Sequence, residues 1–449
     1  MDNFQTIYQS KLTNAEEAVK IVKSGDWLEY TLGPNMPEIL DEDLAARAEE
    51  LEDINVRVLL GAKPLKIIDA NDRVGRNVFT INSWHFSGYE RQWAKKGYAF
   101  YLPFRYSECP EMYRREEDIE RVDVMLVQTA PMDKYGYFNF GPSNSHLMEA
   151  ARRAKHIIVE VNENMPYING LYDEALHISQ VDKIVEHNSD LVAIGNAKPN
   201  ATDEKIAELI LKEIPNGATL QLGIGGMPNA VGAMIAKSDL KDLGIHSEMY
   251  VDSMMDMTKA GVITGQRKNL DRGKQVFAFA MGSNEMYEFM DHNPQIVSAP
   301  VDYVNSPNVI EQFDNFISIN NAIEVDLFGQ VSSESVGFRQ ISGTGGQLDF
   351  VIGAYHSKGG KSFVALTSSF LDKKGVNHSR IVPFINQSRV TDPYTTTHYI
   401  VTEYGMLNLK GKSLWQRSEG LINLAHPDFR DELIAAAEVQ GIWRQSNKR

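Results

Sequence analysis

Three segments of the 449-residue chain combine residue types that can do chemistry. In Gly244-Ile-His-Ser-Glu-Met-Tyr-Val-Asp252, a strand-like alternation of Ile245, Ser247, Met249 and Val251 carries Glu248 within it. A carboxylate in such a place is either a rim charge or a site residue at the carboxyl end of a strand, where open α/β sheets bind ligands. Partly desolvated, with backbone amides holding the oxyanion it creates, a glutamate can act as a covalent nucleophile. The second segment, Gln221-Leu-Gly-Ile-Gly-Gly-Met-Pro-Asn-Ala-Val-Gly232, is a glycine-dense turn leading into a helix expected from Asn229 onward. Its amides suit a phosphate or oxyanion cradle, and equally a tight turn without a ligand. Pro228 stands where a dinucleotide loop needs its third glycine, and no Lys-Ser/Thr pair closes the run, which argues against a nucleotide-dependent oxidoreductase. The third, Ile341-Ser-Gly-Thr-Gly-Gly-Gln-Leu-Asp-Phe350, is another glycine loop, expected to precede an apolar strand over Phe350–Ala354. Two such loops in one domain point to a long phosphate-bearing ligand. Lys373-Lys374 and Arg380 add positive charge nearby in sequence, although single surface lysines are ordinarily just solvated.

Other reactive residue types lack the company they need. Cys109, the single cysteine, lies in Tyr106-Ser-Glu-Cys-Pro110 without a histidine or asparagine partner pattern, so a packed thiol is favoured over a nucleophile. His85, His146, His246, His378 and His398 fall at no metal-ligand spacing and no CxxC pair exists, so no metal is expected. The aromatic stretch Asn82–Arg91 serves either a pocket or the core. With 45 Lys+Arg against 60 Asp+Glu the formal charge is −15, and no basic cluster exceeds a pair such as Arg114-Arg115, so nucleic acid is excluded as a partner. The longest uncharged stretch, Ile214–Ala236, holds five Gly and two Pro, which argues a loop-rich site and not a bilayer span. The N-terminus has neither a basic nor an apolar leader region, and a cytoplasmic protein without membrane contact is expected.

The elements that must position these residues read as α/β. Short β-branched runs at 55–60, 123–127, 156–161, 189–194, 219–222, 248–252, 275–280 and 363–367 alternate with helical patterns, as in a fold with largely parallel sheets. A helix over Thr202–Ile214, with Thr202 in the capping position, opens a second unit. Thr13–Gly33 and Asp203–Gly225 share the order helix, Gly turn, strand, Gly loop at an offset of 192 residues, which pairs Gly25 with Gly217 and Leu28 with Leu220. Length calls for two domains, and the loop around Pro199-Asn200 places them at 1–199 and 200–449.

GIGGMPNAV (223–231), GIHSEMYVD (244–252), SINNAIEVDLFGQV (318–331), SGTGGQLDF (342–350) and HYIVTEYG (398–405) together resemble the acetyl-CoA hydrolase/transferase branch of the class I CoA-transferases. NSWHFSG (82–88), PMDKYGYFNFGPSNSH (131–146) and EVNENMP (160–166) extend the resemblance over essentially the whole chain. The resemblance implies two similar open α/β domains, with the active site between them. It implies Glu248 as the nucleophile, and CoA contacts at Gly223, Ile224, Gly225, Gly226, Met227, Ile323, Gly346 and Lys373. The implied reaction moves CoA between short-chain carboxylic acids, butyryl-CoA and acetate first among them, by a ping-pong course through a glutamyl-CoA thioester. CoA is then substrate and covalent intermediate, with no permanently bound cofactor. A 4-hydroxybutyrate transferase or an acyl-CoA hydrolase is the alternative, and a non-catalytic acyl-CoA binder is disfavoured by the presence of Glu248. A homo-oligomer is the expectation for a soluble metabolic enzyme.

Overall fold

The computed structural model describes residues 4–195 and 198–447. Its contacts divide the chain into two units, 1–195 with 248–250 and 276–304, and 196–247 with 251–275 and 305–449. The division therefore takes more than one cut of the chain, and it passes through the strand Gly244–Tyr250 between Ser247 and Glu248.

The first unit is built on a seven-stranded, all-parallel sheet. Its order is Lys183–Glu186, Ala154–Val161, Val122–Thr129, Trp27–Tyr30, Ile54–Val58, Phe79–Ser83, Ala99–Tyr101. All eight residues of Val122–Thr129 are buried, as expected of a strand covered on both faces. The core gathers Val19, Leu28, Leu40, Val56, Ile67 and Ile81 from strands and covering helices. The helix Gly88–Lys95 starts on a capping box, with Ser87 accepting from the Tyr89 N–H and Glu90 accepting from the Ser87 N–H.

The second unit's strands run Gly405–Asn408, Tyr399–Thr402, Lys361–Ala365, Phe316–Asn321, Thr219–Leu222, Gly244–Tyr250. Pairing is parallel except where Gly405–Asn408 folds back on its neighbour. The 192-residue echo is visible in the strands themselves: Trp27–Tyr30 shifted by 192 gives 219–222, the bounds of the corresponding strand. Each is preceded by a glycine in the left-handed region, Gly25 at φ +83° and Gly217 at φ +77°. Each also lies between two parallel neighbours, one following it in sequence and one later in the chain.

Four local expectations are corrected. Residues 189–194 form no strand; isolated bonds hold them, Val192 N–H to Pro34 C=O at 3.2 Å and Ile194 N–H to Gly282 C=O at 2.9 Å. The run Phe350–Ala354 lies in a helix, Gln347–His356, because a short apolar run fits a buried helix as well as a strand. The helix placed from Asn229 starts at Gly226, with Pro228 in its first turn, where a missing N–H costs no bond. The helix placed at Thr202–Ile214 spans Ala201–Leu211, and its cap is Asn200, whose side chain accepts from the Thr202 and Asp203 amides at 2.8 and 3.0 Å. Among the described residues no helix is long and apolar enough to cross a membrane.

Candidate active site

The loop Gly223–Gly226 leaves the carboxyl end of the strand Thr219–Leu222 and runs directly into the helix Gly226–Ala236. Beneath it, Gln221, Ser318 and Asn320 form a buried amide ladder. Gln221 Nε2 donates to Asn320 Oδ1 at 3.0 Å, and Gln221 Oε1 accepts from Ser318 Oγ at 2.7 Å and Asn320 Nδ2 at 3.1 Å. The Gly223 N–H continues the parallel ladder onto Ile319 C=O at 2.8 Å. Gly225, the cap of the helix, sits at φ +120°, where a side chain is strained, and a Cβ there would lie 2.8 Å from Asn321 Nδ2. The backbone is thus held with its first helical amides unpaired within the helix, a geometry suited to an anion or to a carbonyl oxygen gaining charge. Ile224 is about half exposed, whereas Met227 is buried.

A relay of polar contacts joins this loop to two further predicted positions. Asn321 Nδ2 donates to Ile224 C=O at 3.2 Å, and Asn321 C=O accepts from Ser333 Oγ at 3.1 Å. Ser333 Oγ accepts in turn from Gln347 Nε2 at 2.8 Å. Gln347 opens the helix Gln347–His356, for which Gly346 is the cap residue. Ile323, two residues after Asn321, accepts at its carbonyl from Arg380 Nη1 at 2.9 Å, and its N–H reaches Ser332 C=O at 2.8 Å. The relay thus links the glycine loop to the start of the helix that Gly346 caps, inside the second unit, and Ile323 lies two residues along the chain from its Asn321. Lys373 does not join it: it is exposed, in the turn of the hairpin formed by Ser369–Leu371 and Asn377–Ser379. Arg380 enters the sequence reading only as a positive charge, and the linking roles of Asn321, Ser333 and Gln347 escape a reading by motif. Their one visible signal is the paired Asn320-Asn321 at a strand end, where polar side chains have no place in a ladder.

Behind the second glycine loop lie two carboxylates. Glu334 Oε2 accepts from Thr344 Oγ1 at 2.8 Å and Thr391 Oγ1 at 3.2 Å. Asp392, fully buried, accepts from Gln347 Nε2 at 2.6 Å. Burial pushes the Asp392 carboxyl up to about 7, with the Gln347 bond opposing and the Glu334 charge adding to the rise.

Glu248 lies third from the carboxyl end of the strand Gly244–Tyr250 and is partly exposed, while the strand's other residues are buried. Within the first unit its charge bears on Tyr106, whose phenol is pushed well above the usual tyrosine range by burial, opposed by a Ser145 hydrogen bond and reinforced by Glu248.

Residues 1–195 match the model of the acetyl-CoA hydrolase/transferase N-terminal domain, and residues 282–437 that of the C-terminal domain. The chain is 56% identical over 449 residues to a butyryl-CoA:acetate CoA-transferase of Anaerostipes caccae, covering 99% of this chain and 100% of that one. It is 50% identical over 443 residues to a probable butyrate:acetyl-CoA coenzyme A-transferase of Syntrophomonas wolfei, covering 98% of each. Among solved structures, RipA from Yersinia pestis superposes with a TM-score of 0.89 at 40% identity, covering 98% of this chain and 100% of RipA.

Proposed function

Because the chain belongs to the acetyl-CoA hydrolase/transferase family, we propose that it transfers CoA from butyryl-CoA to acetate, with Glu248 as the covalent carrier. The observation that carries this reading is the end-to-end likeness to a butyryl-CoA:acetate CoA-transferase at 56% identity.

The Glu248 carboxylate attacks the thioester carbonyl, giving an acyl-glutamyl anhydride and CoA thiolate. The thiolate attacks the glutamyl carbonyl, releases butyrate and leaves a glutamyl-CoA thioester. Acetate then runs the sequence backwards and departs as acetyl-CoA, so the thioester bond is conserved throughout. Each addition passes through a tetrahedral oxyanion, for which backbone amides at Gly223–Met227 are suitable donors. Gly346 and Ile323 contact the CoA arms in this reading, and Lys373 meets their phosphates. The hydrogen bonds at Asn321 and Gln347 support it, since remote binding energy is useful at the reacting carbonyl only if the contacts are held in place. Ping-pong kinetics follow, with parallel double-reciprocal lines at varied acetate.

The test is to incubate the protein with butyryl-CoA alone, reduce with borohydride and map the modified peptide by mass spectrometry, alongside an acetate-dependent acetyl-CoA assay. Reduction at Glu248 with acetyl-CoA formed only when acetate is present is the expected result. Free CoA accumulating at the same rate with and without acetate would make the protein a hydrolase.

A further inference from the structure

The polar contacts between the two glycine loops of the second unit meet at one residue. Every polar group of Ser333 is engaged, and with different segments. Its N–H donates to Thr391 Oγ1 at 3.0 Å, and its C=O accepts from Ser342 Oγ at 3.1 Å. Its hydroxyl donates to Asn321 C=O at 3.1 Å and accepts from Gln347 Nε2 at 2.8 Å. Ser342 belongs to the second glycine loop, and Asn321 Nδ2 holds the first by Ile224 C=O at 3.2 Å. The next residue clasps the second loop again: Glu334 C=O accepts from the Ile341 and Ser342 amides at 2.8 and 3.1 Å, and Glu334 Oε2 accepts from Thr344 Oγ1 at 2.8 Å. Ser333 and Glu334 therefore stand between the loops, bonded directly to the second and through Asn321 to the first.

These bonds have a fixed sense. A serine hydroxyl has one proton, and that of Ser333 goes to Asn321 C=O, so Gln347 must meet Ser333 with an N–H and not with its amide oxygen. Asp392 holds the amide that way round, because its Oδ2 accepts a second bond from the same nitrogen at 2.6 Å. Oδ2 accepts whether Asp392 is ionised or carries its proton on Oδ1, the oxygen that has no partner among the described residues. Turned over, the Gln347 amide would present its oxygen to Ser333, which would donate to it and release Asn321. The acceptor cannot move aside: Asp392 is fully buried, its C=O accepts from Val331 N–H at 3.1 Å, and its N–H donates to Val331 C=O at 3.2 Å. Thr391 closes the other side, with its hydroxyl accepting from Ser333 N–H and donating to Glu334 Oε2 at 3.2 Å. Burying a carboxyl with one oxygen unpartnered costs stability that an apolar residue avoids. Core packing does not account for an acid at 392, whereas the sense of the relay does.

We propose that Asp392, Gln347 and Ser333 are positioning residues that fix the spacing of the two glycine loops, so that contacts of the CoA arms at the second loop act at the first, where the thioester carbonyl is held. The inference rests on the reading of both loops as the CoA site. Its probe is a pair of substrates, butyryl-CoA and butyryl-pantetheine, which carries the same thioester without the nucleotide. The ratio of their kcat/KM values measures how far the remote arm helps the reacting end. Ser333→Ala deletes one hydroxyl and leaves the backbone bonds. Asp392→Leu deletes the acceptor, and Asp392→Asn restores one. Ser333→Ala and Asp392→Leu are expected to lower the ratio at least about tenfold, through loss on butyryl-CoA, while Asp392→Asn stays within about threefold of wild type. The double variant Ser333→Ala/Asp392→Leu should fall no further than Ser333→Ala, since both residues act through one hydroxyl. A merely structural role slows both substrates alike and leaves the ratio in place. That outcome, or an Asp392→Asn ratio as low as that of Asp392→Leu, overturns the relay and leaves the site reading standing. A wild type that uses both substrates equally well overturns the reading of the loops as the CoA site, and the relay with it. If Asp392→Leu does not fold, Ser333→Ala decides by the same ratio.

Discussion

At the scale of single residues, the carboxylates carry the sharpest expectations. Glu248→Ala should abolish transfer while acyl-CoA binding, measured by calorimetry, stays largely intact. Glu248→Asp retracts the attacking oxygen by one methylene and should lose about 100-fold or more in kcat, because misplacement on the order of 1 Å costs that much. Near wild-type turnover in either variant would remove Glu248 from the carrier role. Asp392 yields a different measurement. Its folded pKa of about 7 lies above the ordinary value of 3.8, so the folded state binds the proton more tightly than the unfolded one. Its favourable contribution is then complete below about pH 4 and fades as pH rises towards 7. Asp392→Asn, which keeps an acceptor for Gln347, should gain stability relative to wild type between pH 5 and pH 8, by on the order of a few kcal/mol at most. Thermal melts of both proteins across that range check the sign; a difference independent of pH would mean that Asp392 does not titrate there.

The elements show how far a bare sequence carries. Thr219–Leu222 and Gln275–Ala280 are legible to the residue, because short strand-forming runs that follow a glycine turn or a charged residue leave little room for another reading. Phe350–Ala354 is not, since five apolar residues have no period that separates a buried helix from a strand. The glycine loop and the strand around Glu248 are likewise legible, but the Asn321–Ser333–Gln347 linkage is not. It joins three segments whose proximity is a product of sheet order. The cap misread at Thr202 gives a clean comparison: Asn200→Ala should cost about 1 kcal/mol in denaturant unfolding and Thr202→Ala much less. For the loop, Gly225→Ala forces a side chain into φ +120° and against Asn321. It should raise KM for butyryl-CoA about tenfold or more while leaving the fraction of Glu248 that can be labelled at saturating substrate unchanged.

For the whole molecule, net charge sets an expectation that no single site contains. A protein of formal charge −15 meets a polyanionic acyl-CoA against its own field. Screening should therefore help: between about 10 and 150 mM salt, kcat/KM for butyryl-CoA should rise a few-fold with kcat nearly constant. A fall over the same range would show that a local positive field, not the net charge, governs encounter. The two-unit division bears on how the chain is made. The first unit takes in 248–250 and 276–304 besides 1–195, so it lacks part of itself until about two thirds of the polypeptide has left the ribosome. Its nascent N-terminal segment already holds the whole seven-stranded sheet and the core around it, so what it waits for while the opening stretch of the second unit is synthesised is only the return of those two later segments. A gene cut after codon 195 should therefore yield a segment that forms its sheet cooperatively but melts at a lower temperature than the same unit in the full chain.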